Sequence, residues 1–287
     1  MSSRIVLVTR PTRLDDLVRR FNTRAQAAFA VEHAGQDFGA YVAEHEAYER
    51  SLDIVLRACD VGLKVQRLDR ALVATYLFAP DDVIVTVGPD GLVANAAKYV
   101  GGAPILGVNP DPLRVDGVLA TIAPLGLPAA LAATLQRRAS VRAVTMAEAR
   151  LADGQRLLAF NDLFVGAASH VSARYTIRHG DTVERQSSSG VLISTGAGSS
   201  GWLSSVFHEL RGVLAFCGQG AIAPPPLAWD TRTLLFAVRE PFRSRQSDVS
   251  LVMGHVDDAH PLHLDSEMPA GGVVFSDGTL GNFQRAD

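Results

Sequence analysis

"VTVGPDGLVANAAKYV", residues 85–100, decides how the first half of the chain is read. An apolar, β-branched run ends in Gly88-Pro89-Asp90-Gly91, and a helix-like pattern follows at once. Strand, glycine turn and helix together can hold a phosphate, because the helix start offers N–H groups and the positive end of its dipole. Pro89, however, has no N–H to give. A plain Asp-Gly turn accounts for the same residues, so the segment alone leaves both readings open. The dinucleotide fingerprint and the P-loop motif are both absent.

Outward from this stretch the chain alternates. "RIVLVT" predicts a first strand from Ile5 to Thr9, and "LKVQRLD" and "APILGVN" predict two more around "DDVIVTVG". Between them, "AYVAEHEAYERSLDIVLRACDVG" carries Tyr41, Tyr48, Leu52, Val55, Leu56 and Cys59 at the spacing of an amphipathic helix that ends at Gly62. Strands alternating with helices imply a parallel sheet with right-handed crossovers. After a further helix, "GLPAALAATLQRRA", strand-like runs dominate: "VRAVTMAEARL", "RLLAFNDLFVGA", "VSARYTIRHGD", "TVERQSSSGVLISTG", "TLLFAVREPF", "VSLVMGH", "PLHLD" and "GGVVFSDG". His179-Gly180-Asp181 reads as a hairpin turn. The expected fold class is an N-terminal α/β parallel-sheet domain followed by a C-terminal β-sandwich-like domain. The changeover falls near residues 118–140, and clefts between such domains favour active sites.

Bulk properties narrow the function. The chain has 287 residues, 47% of them hydrophobic and 20% charged, enough for a large core. A net charge of −3 argues against a general nucleic-acid binder. Two cysteines, Cys59 and Cys217, are too few for a disulfide scaffold and suit a reducing compartment. No apolar run approaches a membrane span, and the N-terminal apolar stretch is shorter than a signal-peptide core, so a cytoplasmic location is expected.

Four stretches could carry chemistry. Asp90 stands at the carboxyl end of a predicted parallel strand, where open α/β sheets bind ligands. In "GVNPDP", Asn109 and Asp111 end the next strand, either beside Asp90 in a site or as servants of a proline-stiffened turn. "AFNDLFVG" sets Asn161 and Asp162 inside an apolar strand, a costly placement unless they find partners or occupy a bulge or edge. "STGAGSSGW" crowds glycines and hydroxyls after "GVLIS", suiting contact with a phosphate or polyol, or a flexible turn. It is not the hydrolase elbow, since Trp202 stands where the last glycine should be. The eight histidines are scattered; His255, His260 and His263 lack a zinc-like pattern.

Taken in order, these stretches resemble the NAD kinase family. Gly88-Pro89-Asp90-Gly91, Gly-Val-Asn at 107–109, Asn161-Asp162, Thr195-Gly-Ala-Gly-Ser199, "VREPF" at 238–242 and "SEMPAGGVVFSDG" follow the family's sequence of motifs over nearly the whole chain. The likeness is closest to the mitochondrial-type branch, with its "GVN-x-DP" loop and its Trp at the place of Trp202. The resemblance implies an α/β domain over 1–125, a β-rich NAD-binding domain over 126–265, and a segment 266–287 packing back on the first. It implies an active site between the domains, completed in a homodimer or larger homo-oligomer. It further implies transfer of phosphate from ATP, or sometimes polyphosphate, to the 2′-hydroxyl of the adenosine ribose of NAD, with Mg²⁺ or another divalent ion bound with the nucleotide. Carried over position by position, Asp90 is the base and Gly88 and Gly91 belong to its loop. Asn161 and Asp162 form the NAD-binding pair, and Thr195, Gly198 and Ser199 the second glycine-rich motif. Trp202 and Ser205 line the NAD pocket, and Asn109 follows the fourth strand.

Two positions depart from the family pattern. Pro89 replaces a glycine and Leu92 a threonine, both on the donor side. No lysine lies in the loop. Three functions therefore remain: a kinase of NAD, a non-catalytic NAD(P)-binding relative, or a kinase of another hydroxyl substrate such as a sugar or lipid head group.

Overall fold

The computed structural model describes residues 4–277 and 283–286. Its first strand, β1 (Arg4–Thr9), is the apolar run expected there, with Ile5 to Val8 wholly buried. It lies between β2 (Lys64–Asp69) and β3 (Val83–Val87), and β4 (Ile105–Val108) follows β3, giving a parallel sheet in the order β2-β1-β3-β4. All five residues of β3 are buried, as a strand covered on both faces requires. On one face Ile5, Leu7, Val83, Val85 and Leu106 pack with Tyr48, Leu52 and Val55 of α3 (Phe38–Ala58) and Leu127 and Leu131 of α5 (Leu127–Leu135). On the other, Val6, Val8 and Ile84 meet Leu92 and Ala96 of α4 (Asp90–Ala97). The strand order reverses between β1 and β3, which places a crevice at their carboxyl ends.

In the first half of the chain the sequence reading lacks two helices, α1 (Arg13–Phe21) and α2 (Arg24–His33). α1 is polar and α2 mixed, and both bury little: only Leu14 in α1, and Ala27 and Val31 in α2. Their starts are set by caps rather than by an apolar face, α1 by a reciprocal pair between Thr12 and Asp15.

The chain divides into two compact units, Met1–Val141 and Arg142–Asp287, so α5 belongs with the parallel sheet. In the second unit, β7 (Asp162–Ala167), β10 (Gly190–Ser194), β11 (Leu234–Arg239), β12 (Met253–Val256), β14 (Gly272–Ser276) and β15 (Phe283–Ala286) form an antiparallel sheet ordered β12-β11-β10-β7-β14-β15. A smaller sheet, β13-β8-β9, holds β8 (Ala173–His179), β9 (Thr182–Ser188) and β13 (His263–Ser266). Between β8 and β9, Gly180 has φ +55°, as the predicted hairpin turn needs.

Leu163, Val191, Phe236 and Val274 of the large sheet bury against Tyr175 and Ile177 of the small one, making a sandwich core. A short hairpin, β5 (Ala147–Arg150) with β6 (Arg156–Ala159), adds Ala147 and Leu157 to it. Residues 141–146, read from sequence as strand, are irregular. The other face of the large sheet is covered by α6 (Trp202–Phe216), through Leu203 and Phe207 against Leu192 and Leu235. The segment from residue 266 enters this same unit, with β14 paired to β7. Gly278, which closes the "SEMPAGGVVFSDG" stretch, lies outside the described residues.

Candidate functional site

The sequence-selected residues gather into two clusters, one in each unit. The first is built on the carboxyl end of β3. Gly88 has φ +155°, and a Cβ there would meet Leu92 Cδ2 at 3.0 Å, so this position needs glycine. Pro89 (φ −72°) caps α4, and Asp90 is the first residue of the helix. Gly91 is exposed, with open space where a side chain would lie. Leu92, which stands in place of a hydroxyl residue, is 4% exposed and belongs to the core beneath α4.

Both oxygens of the Asp90 carboxylate accept backbone N–H bonds. Oδ1 accepts N–H bonds from Leu119 (2.9 Å) and Ala120 (2.8 Å), and Oδ2 accepts one from Val118 (2.9 Å). Asp90 thus fastens the chain after β4 to the start of α4. Asn109 does complementary work and is buried: its Oδ1 accepts from Asp111 N (3.0 Å), and its Nδ2 donates to Val115 O (2.6 Å). This is the turn-serving role weighed for Asn109 from sequence. Gly107 and Gly117 let the loop lie close, since a Cβ at either would strike backbone at 2.7 or 2.1 Å.

The second cluster lies where β7 begins and β10 ends. The sequence places Asn161 and Asp162 inside a strand; in the structure Asn161 sits in a bend and Asp162 opens β7. Thr195, fully buried, ties the corner together. Its Oγ1 donates to Phe160 O (2.7 Å) and accepts from Gly198 N (3.0 Å), while its N–H donates to Asn161 O (2.9 Å). A Cβ on Gly198 would sit 2.2 Å from Asn161 O, and one on Gly196 2.0 Å from Ala228 O, so these glycines are fixed by contact. Ser199 Oγ donates to Gly196 O (2.8 Å).

Asp162 pairs in register with Ser194, its hydrogen-bond partner, and its Oδ1 is buried with no partner. Burial first, and the nearby Asp277 charge besides, push its carboxyl up to about 7, with the Ser194 bond opposing. A carboxyl that titrates near 7 and keeps one of its own oxygens without a partner is suited to exchange hydrogen bonds with a hydroxyl.

Asp277, missed by sequence reasoning, completes this corner. It has φ +54°, and its carboxylate accepts from the N–H groups of Phe160 (3.1 Å) and Asn161 (2.7 Å). The signal for it was the Ser-Asp-Gly that ends the apolar run of β14. Trp202, the first residue of α6, stacks on Phe164 of β7 at 5.4 Å between ring centroids, with the Arg239 guanidinium 5.2 Å over its ring. Ser205 is exposed on the first turn of α6. The structure therefore joins Asn161, Asp162, Thr195, Gly198 and Ser199 directly, fixes Trp202 along β7, and places Gly88, Asp90, Gly91 and Asn109 in the other unit's cluster.

No protein-family model and no curated protein matches the chain. Solved structures do. An NAD kinase from Archaeoglobus fulgidus, in complex with ATP, aligns over 99% of this chain and 86% of its own, with a TM-score of 0.51 and 18% identity. Yeast NADH kinase, complexed with NADH, aligns over 100% of this chain and 77% of its own, with a TM-score of 0.54 and 14% identity. The chain has the NAD kinase fold. This fold comprises the α/β unit and the β-rich unit expected from the sequence, and the match runs through both. Among the described residues of this NAD kinase fold, no helix is long and apolar enough to cross a membrane.

Proposed function

We propose that the protein is an NAD kinase-like phosphotransferase that moves phosphate from ATP to the adenosine 2′-hydroxyl of NAD, giving NADP. The observation that carries this reading is the whole-chain likeness to an ATP-bound NAD kinase and an NADH-bound NADH kinase. The motif residues support it by falling into two built clusters rather than scattering. In this reading Asn161, Asp162, Thr195, Gly198, Ser199, Trp202 and Ser205 receive NAD. Gly88 and Gly91 form the donor-side loop, Asn109 shapes the chain beside it, and Asp90 takes the 2′-hydroxyl proton. Phosphoryl transfer asks mainly for positioning and charge neutralisation.

No group of three or more His, Cys, Asp or Glu residues is poised to hold a metal among the described residues. The oxygens of Asp90 are taken by amides. In this reading Mg²⁺ is carried by the nucleotide phosphates, where it would neutralise their charge. A homodimer or larger homo-oligomer and a cytoplasmic location complete the proposal; sedimentation and fractionation read them.

The test is NADP formation by purified protein from NAD with ATP, with polyphosphate, and with no donor. ATP-dependent NADP that Asp90→Asn reduces by about 10²- to 10⁴-fold is expected, as for loss of a general base. A wild-type rate equal to the no-donor control would overturn it. The closed Asp90 carboxylate and Pro89 favour a second reading, in which the protein binds NAD(P) without transfer. Calorimetric binding of NADH or NADPH with no turnover would select it, and ATP consumption with a sugar or lipid acceptor would redirect the substrate.

A further inference from the structure

The donor-side loop contains no lysine and has lost an N–H to Pro89. A phosphate chain there needs positive charge from elsewhere. Arg10 lies directly after β1, at the carboxyl edge where the strand order reverses toward β3. Its side chain runs from the Gly88 turn to α3. Cδ is 3.7 Å from the position a Gly88 Cβ would take, and Nη2 reaches Glu44 Oε1 at 3.3 Å. Nε is buried and has no hydrogen-bond partner. A buried guanidinium donor left unmatched costs free energy, and its planar fork suits phosphate oxygens.

The surroundings keep Arg10 available. Glu44 is shared: its Oε2 accepts from Arg13 Nε while its Oε1 accepts from Arg10 Nη2. Arg13 also stacks over Tyr41, at 4.7 Å. His45 and Asp15 face each other at 3.6 Å and are tied to Thr12, so they do not compete for Arg10. The Arg10 N–H is held by the Tyr48 hydroxyl at 3.1 Å, which fixes the backbone from which the side chain departs. Asp90, the other acid nearby in the fold, spends its carboxylate on residues 118–120.

We propose that Arg10 is the phosphate-binding cation of this crevice: its guanidinium takes the phosphate chain of the donor nucleotide, and Glu44 holds it in place until the phosphates arrive. The inference deepens the kinase reading and rests on it for the identity of the nucleotide. A purely architectural role, fastening α3 to the sheet edge, is the competing explanation.

Calorimetry with inorganic tripolyphosphate, ATP and adenosine separates them. Wild type is expected to bind tripolyphosphate and ATP. Arg10→Gln weakens both by about tenfold or more, the worth of one charge-assisted hydrogen bond, and leaves adenosine unchanged. Arg10→Lys keeps the charge without the fork and falls between. Glu44→Gln removes the competing anion and tightens tripolyphosphate, a direction that mere loss of architecture does not produce. If Arg10→Gln fails to fold, Arg10→Lys and Glu44→Gln decide. Tripolyphosphate binding undetectable in wild type, within twofold of wild type in Arg10→Gln, or, where that variant does not fold, unchanged in Arg10→Lys and Glu44→Gln, overturns the proposal. Arg10-dependent tripolyphosphate binding without any NADP formation retires the kinase reading alone. NADP formation with Arg10-independent phosphate binding retires this one alone.

Discussion

Asp162 and Asp90 show how differently two carboxylates can be treated. Asp162 titrates near 7 in the folded chain, against 3.8 ordinarily, chiefly through burial. The folded state therefore keeps a proton that the unfolded chain has released across that window. Stability falls as pH rises from about 4 to about 7, and stays low above it. Asp162→Asn should flatten that slope and raise stability at pH 8, as read by urea unfolding at pH 5 and pH 8; parallel slopes would sink the assignment. Asp90 also pins a loop. Asn at this position keeps one acceptor oxygen for Leu119 and Ala120 and meets Val118 N–H with an amide nitrogen. The expected cost is about 1–3 kcal/mol, visible as faster amide exchange at Val118. The loop role of Asp90 was not visible in the sequence, because partners 28 to 30 positions away leave no local pattern, whereas a carboxylate inside an apolar run already marked Asp162.

Among the elements, legibility followed burial. β1, β3 and β4 were evident because a strand covered on both faces must be a continuous apolar run. The motif corner was evident in part: crowded glycines announced close backbone approach, but which backbone they approach was not written locally. α1 and α2 went unread because they bury almost nothing, and α6 because its start follows a run of glycine and serine that looks like a loop. Two substitutions belong at this scale. Gly198→Ala drives a methyl into Asn161 O and should cost at least about 2 kcal/mol, lowering the unfolding midpoint without a change in helix content. Pro89→Gly should leave α4 intact, since the helix begins at Asp90, and cost about 0.4–1 kcal/mol through the freer unfolded chain. A rise in NADP formation in that variant would mark the proline as a brake on transfer.

For the molecule as a whole, its two free cysteines report on different units. Cys59 is buried in the core under the parallel sheet, and burial lifts its thiol to about 11; Cys217 is exposed just after α6. A thiol reagent at pH 8 should modify Cys217 at once and Cys59 only as the first unit opens, so the slow phase should follow denaturant while the fast one does not. The two-unit plan was legible as a change of period along the chain. The Asp277 clamp was not. It bonds Phe160 across 117 positions of sequence, and β14 must pair with β7 for it to form. The Asn161–Asp162 corner is therefore among the last features a refolding chain can assemble. Loop closure over such a span is slow, and recovery of nucleotide binding should lag behind recovery of secondary structure.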